Sequence, residues 1–223
     1  METFNIAILD DSKSKVDTIR VLFMQQSDRA EKCYDGRYSD YNLQLKPINI
    51  EKSCDQIIDE IISSKFDAII IDYQLDSSGI ISDNGITIAT KIKERFSEYP
   101  LFILTAYEDS LFRNEVFDAY QVYNYENYVN NVTATKEFHC HIIEQILKSR
   151  KQIEIWELEL ASLLKIPEEE RTADIVSKII DLDNKIEKSI DGTSCLPAKT
   201  KSDLSSNKLS ELLKQADELL KET

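Results

Sequence analysis

The stretch Ala68-Ile-Ile-Ile-Asp72 decides the fold. Three isoleucines after an alanine leave no polar face for water, so the run reads as a strand covered on both sides, as strands of parallel sheets are. The acid that closes it stands at the strand's carboxyl end, where open α/β sheets gather their ligands. The same pattern recurs on either side. Phe4–Leu9 is an apolar run stopped by Asp10 and Asp11, and Leu101–Leu104 is one stopped by Thr105. Two more strands are expected near Leu43–Ile50 and over Gln121–Tyr125. Amphipathic stretches separate them: Ser14–Gln26, with Val16, Ile19, Leu22 and Phe23 on one face, then Cys54–Ser63, Gly85–Phe96 and Ser110–Ala119. Five strands alternating with helices predict an α/β fold, a doubly wound (βα)5 parallel sheet of the flavodoxin-like kind.

The pattern changes after Lys136. We assign residues 1–135 to the sheet domain and 136–223 to an α-helical C-terminal extension. A long helix is expected over 137–166, where Ile142, Ile146, Ile153, Trp156 and Leu160 recur at helical intervals. A second helix over 168–191 begins behind Pro167 with three glutamates, which suit the positive end of a helix dipole. A polar linker over 193–206 and a last helix over 207–222 complete the reading. Trp156 reads as a packing anchor.

Composition excludes several functions. Among 223 residues, 41 acids against 27 bases give a net charge of −14, which repels a phosphate backbone, so no direct nucleic-acid partner is expected. The four glycines are too few and too scattered for a G-x-G-x-x-G turn or a P-loop. The four cysteines form no C-x-x-C pair and read as reduced thiols. The start of the chain lacks a basic and apolar leader, and no apolar run has the length of a membrane span. A cytoplasmic protein without a membrane partner is the expectation. His139-Cys140-His141 invites a metal reading, but three consecutive helical residues point in different directions, which favours packing roles.

The residues with chemistry are Asp10, Asp11, Asp72 and Thr105, all at strand ends. Two like charges about 4 Å apart repel by about 4 kcal/mol at an effective dielectric of about 20, so a cation or a proton must offset them. Mg²⁺ suits such oxygen ligands and leaves positions for water and phosphate. An aspartate beside it can act as a nucleophile and form an acyl phosphate.

With Ile-Leu-Asp10-Asp11, Ile-Ile-Ile-Asp72-Tyr-Gln-Leu, Asn84-Gly85 opening a helix and Phe-Ile-Leu-Thr105-Ala, residues 1–135 resemble a response-regulator receiver domain of two-component signalling. The helical extension resembles no known family. The resemblance implies that Asp72 is the phosphoacceptor and Thr105 the switch hydroxyl. It implies that Mg²⁺ is held by Asp10, Asp11, Asp72 and the backbone carbonyl of Gln74, with Asp11 the more direct ligand of the acid pair. The phosphoryl group would come from a histidine kinase or a histidine phosphotransfer protein. Turnover beyond self-phosphorylation and slow dephosphorylation is not expected, and output would pass through contacts of the helical tail with a protein partner or a second copy.

Two departures stand out. The family places a lysine after the fifth strand to grip the phosphoryl group, but Val122–Tyr128 contains none. Tyr125 or Asn127 takes its place, Lys136 is the nearest base downstream, and Tyr123 is the candidate aromatic switch. The loop over 76–83 is also longer and more acidic than usual in the family. The alternative reading is a phosphorylation-independent scaffold that keeps the fold and has lost the switch. A metal-dependent phosphohydrolase is disfavoured, because Gln74 stands where a second acid would act.

Overall fold

The computed structural model describes residues 1–28, 36, 38–49, 53–73, 75, 85–96, 98–106 and 121–190. Five parallel strands form one sheet in the order β2-β1-β3-β4-β5: β1 (Glu2–Leu9), β2 (Tyr41–Pro47), β3 (Ala68–Ile71), β4 (Leu101–Thr105) and β5 (Val122–Asn124). The order reverses once, between β1 and β3, which is the switch point of a doubly wound sheet. Helices α1 (Lys13–Asp28), α2 (Cys54–Ser64) and α3 (Gly85–Arg95) are the described crossovers, and the helix expected over Ser110–Ala119 lies outside the described residues.

Side-chain alternation along the strands sorts the core into two layers. Phe4, Ile6, Ile8, Ile70, Phe102 and Leu104 face one side, where Val16, Ile19 and Phe23 of α1 meet them. Ala7, Leu9, Ile69, Ile71, Leu101 and Ile103 face the other, against Ile57, Ile58 and Ile61 of α2 and Ile88, Ala89 and Ile92 of α3. The triple isoleucine is thus buried on both sides. A capping box starts α2: the Ser53 hydroxyl accepts from the Gln56 N–H (3.3 Å), and the Ser53 N–H donates to Gln56 Oε1 (3.0 Å).

A short helix, α4 (Tyr125–Asn130), follows β5 directly, capped by Asn124 Oδ1 accepting from the Asn127 N–H at 2.8 Å. Only its first residue, Tyr125, falls in the stretch expected to be strand. Next comes α5 (Val132–Leu164), 33 residues long. The chain divides into two compact units, Met1–Arg150 and Lys151–Thr223, and the division falls inside α5. The sheet unit therefore continues past the boundary expected at residue 135. The reason is packing: Phe138, Ile142, Ile143 and Ile146 of α5 complete the layer that α1 only partly covers. Arg150 closes this part by pairing with Glu2 and with Asp67 Oδ1 (2.7 Å) while its guanidinium lies 4.8 Å from the Phe4 ring centroid.

In the second unit, the rest of α5 is followed by a 3₁₀ turn at Glu168–Glu170 and α6 (Ala173–Ile190). The Arg171 guanidinium donates to the carbonyls of Ile166 (2.9 Å) and Leu164 (3.1 Å), satisfying acceptors left open at the end of α5. Lys178 pairs with Glu159 at 2.5 Å, and the Lys185 ammonium lies 6.0 Å from the Trp156 ring centroid. Trp156 is half-buried. The linker over 193–206 and the helix over 207–222 lie outside the described residues.

Cys54 is a buried free thiol, whereas Cys140 is disulfide-bonded, so the expectation of four reduced cysteines fails. Separation along the sequence does not restrict which Cα atoms the fold brings within bonding range. No helix among the described residues is long and apolar enough to cross a membrane.

Candidate functional site

Adjacent strands put the acids together. Leu9 of β1 pairs in register with Ile71 of β3, and the Asp72 N–H donates to the Leu9 carbonyl at 2.9 Å. The residues that follow each strand then share one rim of the sheet. One carboxylate oxygen from each of Asp10, Asp11 and Asp72 lies within 4.8 Å of the others. Asp72 is the deepest, at 2% exposure, while Asp10 and Asp11 are partly buried. Three hard oxygen donors this close fit a small divalent cation.

Local structure fixes each acid. Asp10 Oδ1 accepts from the Ser12 N–H at 2.7 Å, and Ser12 Oγ accepts from the Lys15 N–H at 3.4 Å, so the acid pair runs directly into the first turn of α1. Gly85 N–H donates to the Tyr73 carbonyl at 3.2 Å, and α3 begins so close to β3 that a Cβ on Gly85 would stand 1.9 Å from the Asp72 carbonyl oxygen. Only glycine permits this approach.

Electrostatics mark the site as crowded. Burial, helped by the charges of Asp72 and Asp11, raises the Asp10 carboxyl to about 6 against the opposing Ser12 hydrogen bond and the Lys15 charge. Lys15 supplies the cation. Its Nζ donates to Asp72 Oδ2 at 2.7 Å, an ion pair between a side chain 27% exposed and one 2% exposed. Burial pulls the Lys15 ammonium down, but the hydrogen bond to Asp72 and the charges of Asp72, Asp10 and Asp11 outweigh it and hold the pKa above the ordinary lysine value. The same ammonium sits 5.5 Å from the Tyr125 ring centroid. Burial raises the Tyr125 hydroxyl as well, against a hydrogen bond to Thr18 and the Lys15 charge.

Thr105 ends β4 and is fully buried. Ile71 pairs with Ile103 and Thr105 with Asn124, so Asp72, Thr105 and Asn124 follow one another at the carboxyl ends of β3, β4 and β5. Gln74 and the loop over 76–83 lie outside the described residues. Tyr123 stands apart from this rim. Its ring packs on Phe138 at 4.4 Å and its hydroxyl meets His141 Nδ1 at 2.8 Å, which ties β5 to α5. His139 is likewise internal, with Nε2 2.9 Å from the Tyr128 hydroxyl. The three-residue His-Cys-His run therefore splits between packing partners, His139 with Tyr128 and His141 with Tyr123. Lys136 sits in the first turns of α5.

Sequence reasoning missed Lys15. Its one signal was position: four residues after Asp11, in the first turn of the helix that follows the acid pair.

No family model matches the chain, and no curated protein matches it. Among solved structures it is similar to the apo receiver domain of nitrogen regulatory protein C, at 15% identity, covering 66% of this chain and 98% of that one, with a TM-score of 0.42. It is similar to the signal receiver domain of the response regulator NarL from Mycobacterium tuberculosis, at 13% identity, 68% and 98% coverage and a TM-score of 0.40. It is also similar to the RcsB response regulator of Salmonella typhimurium, at 15% identity, 92% and 98% coverage and a TM-score of 0.40. These neighbours are receiver proteins at low identity, and the fold assignment rests on the strand order and register described above.

Proposed function

We propose that this chain is a phosphoacceptor of a two-component or phosphorelay system, with Asp72 as the residue that carries the phosphoryl group. The observation that carries this reading is the meeting of Asp10, Asp11 and Asp72 within 4.8 Å at the switch point of a parallel sheet. A carboxylate oxygen of Asp72 attacks the phosphorus of a phosphohistidine or a small acyl phosphate. The bond from phosphorus to the leaving nitrogen or oxygen breaks, and its electron pair departs with the imidazole, which takes a proton, or with the released carboxylate. The product is an acyl phosphate on Asp72.

Asp10, Asp11, Asp72 and the Gln74 carbonyl would hold Mg²⁺, which neutralises charge on the incoming phosphoryl oxygens when bound. The chain's own contribution is position. The hydrogen bond to Leu9 and the tight start of α3 fix the Asp72 backbone, and burial leaves its carboxylate a narrow approach. Thr105 donates its hydroxyl to the phosphoryl oxygen, and that contact favours the bound arrangement of β4 and β5, a population shift. Donors are a histidine kinase or a histidine phosphotransfer protein, and output passes to a protein partner or a second copy through the helical extension.

The test is incubation with Mg²⁺ and acetyl phosphate followed by intact-mass measurement. One added phosphoryl group is expected, absent in Asp72→Asn. No addition, or the same addition in Asp72→Asn, would overturn the proposal. One observation favours a second reading, a scaffold that works without phosphate: Asp72 already has a cation in Lys15 at 2.7 Å.

A further inference from the structure

We infer that Lys15 is the phosphoryl-binding cation of this site, supplied by the first turn of α1 where no lysine follows β5. The inference rests on the phosphoacceptor reading of Asp72. Its physical basis is the position of the ammonium, 2.7 Å from Asp72 Oδ2 and partly shielded from water. Phosphorylation turns that singly charged carboxylate into an acyl phosphate bearing about two charges at neutral pH. The new oxygens lie within one bond length or two of the acceptor oxygen, inside the reach of a flexible four-carbon stem. Asp10 and Asp11 stand within 4.8 Å of Asp72 and repel the same group. A fixed positive charge at this rim is therefore required by the phosphorylated state more than by the free one, and Lys15 is the ammonium in contact.

Two features keep it available. The Tyr125 ring, at the start of α4, presents its face to the ammonium 5.5 Å away and holds it at the rim without neutralising it. The turn Asp10–Ser12 sets the start of α1, so the lysine projects from the same segment that carries two of the acids. Lys15 donates without giving up its proton, and Asp72 exchanges an ion pair for charge-assisted hydrogen bonds from the same ammonium to the phosphoryl oxygens.

The experiment compares the full chain with Lys15→Met and Lys15→Arg, using acetyl phosphate and Mg²⁺ with intact-mass readout, and beryllofluoride with Mg²⁺ in a calorimetric titration. Thermal melting checks that both variants fold. Lys15→Met should take up phosphate about tenfold more slowly and bind beryllofluoride about tenfold more weakly, with Lys15→Arg restoring most of both because a charged hydrogen bond is kept. If the native chain is phosphorylated and Lys15→Met matches or exceeds it, Lys15 is a blocking ion pair and the inference falls alone. If the native chain takes up neither phosphate nor beryllofluoride, the phosphoacceptor reading falls and the inference with it.

Discussion

Two polar clusters in the sheet unit obey opposite rules. Beneath α5, each buried polar group meets a matched partner: Tyr128 with His139, Tyr123 with His141, and the Tyr38 hydroxyl donating to Glu144 at 2.6 Å. At the carboxyl rim, three carboxylates crowd against one ammonium, and Asp10 is pushed up to about 6 by burial first and by its acidic neighbours after that. Matched groups in an apolar layer hold a fold together, because each would cost free energy only if its partner were removed. A crowd of like charges does the reverse. It is held in place by the surrounding structure, with Lys15 as its countercharge, and on the proposed reading a divalent cation would add to that.

The comparison sharpens when each cluster is disturbed. Phe138→Ala should have the largest effect, since its ring packs against Phe102, Tyr123 and Tyr128 inside the matched layer. About 3–5 kcal/mol of stability should be lost in chemical denaturation, with a smaller loss refuting the role of α5 in the core.

Acid tests the same layer through His139. Burial lowers this imidazole to about 3, against 6.5 for an ordinary histidine, so the folded state keeps it neutral. Between these values the unfolded chain binds a proton that the folded chain refuses. Its contribution to stability is complete above pH 6.5 and falls by about 1.4 kcal/mol per unit as the pH drops below it. Denaturation midpoints of the native chain and His139→Gln, followed from pH 7 to 4, should converge as the pH falls; parallel curves would contradict the assignment.

Gly85→Ala disturbs the rim through its backbone. The added methyl meets the Asp72 carbonyl oxygen, so a loss of about 1–3 kcal/mol in thermal or urea unfolding should accompany slower phosphate uptake. Asp10→Asn should give the smallest effect and the opposite sign. At pH 7 the ionised acid is disfavoured by its surroundings, so the neutral amide should stabilise the metal-free chain by about 1 kcal/mol, and a rise in Tm with Mg²⁺, expected of the native chain on the proposed reading, should be absent in the variant. A destabilised Asp10→Asn would make the rim a matched cluster like the other.

Much of this was legible in the chain. An apolar run such as Ala68–Ile71 has one economical placement, between two helix layers, and the acids that follow such runs must share a rim once the strands pair in parallel. The domain boundary was less legible, because α5 keeps one helical period from Val132 to Leu164 while its surroundings change. Phe138 and Ile142 are fully buried, but Ile155 and Leu158 are 46% and 66% exposed. Periodicity reports a helix and not what lies against it. Helix α4 was hidden because Asn124 serves as both strand end and cap. Lys15 was hidden for another reason: a lysine early in a helix reads as a solvated face until the neighbouring strand brings Asp72 within 2.7 Å.

The most direct test of the phosphoacceptor account is to locate the phosphoryl group. After incubation with Mg²⁺ and acetyl phosphate, peptide mapping should find one modification, labile to hydroxylamine as an acyl phosphate is, on the peptide that contains Asp72. A hydroxylamine-stable modification, one on another peptide, or none at all would contradict it.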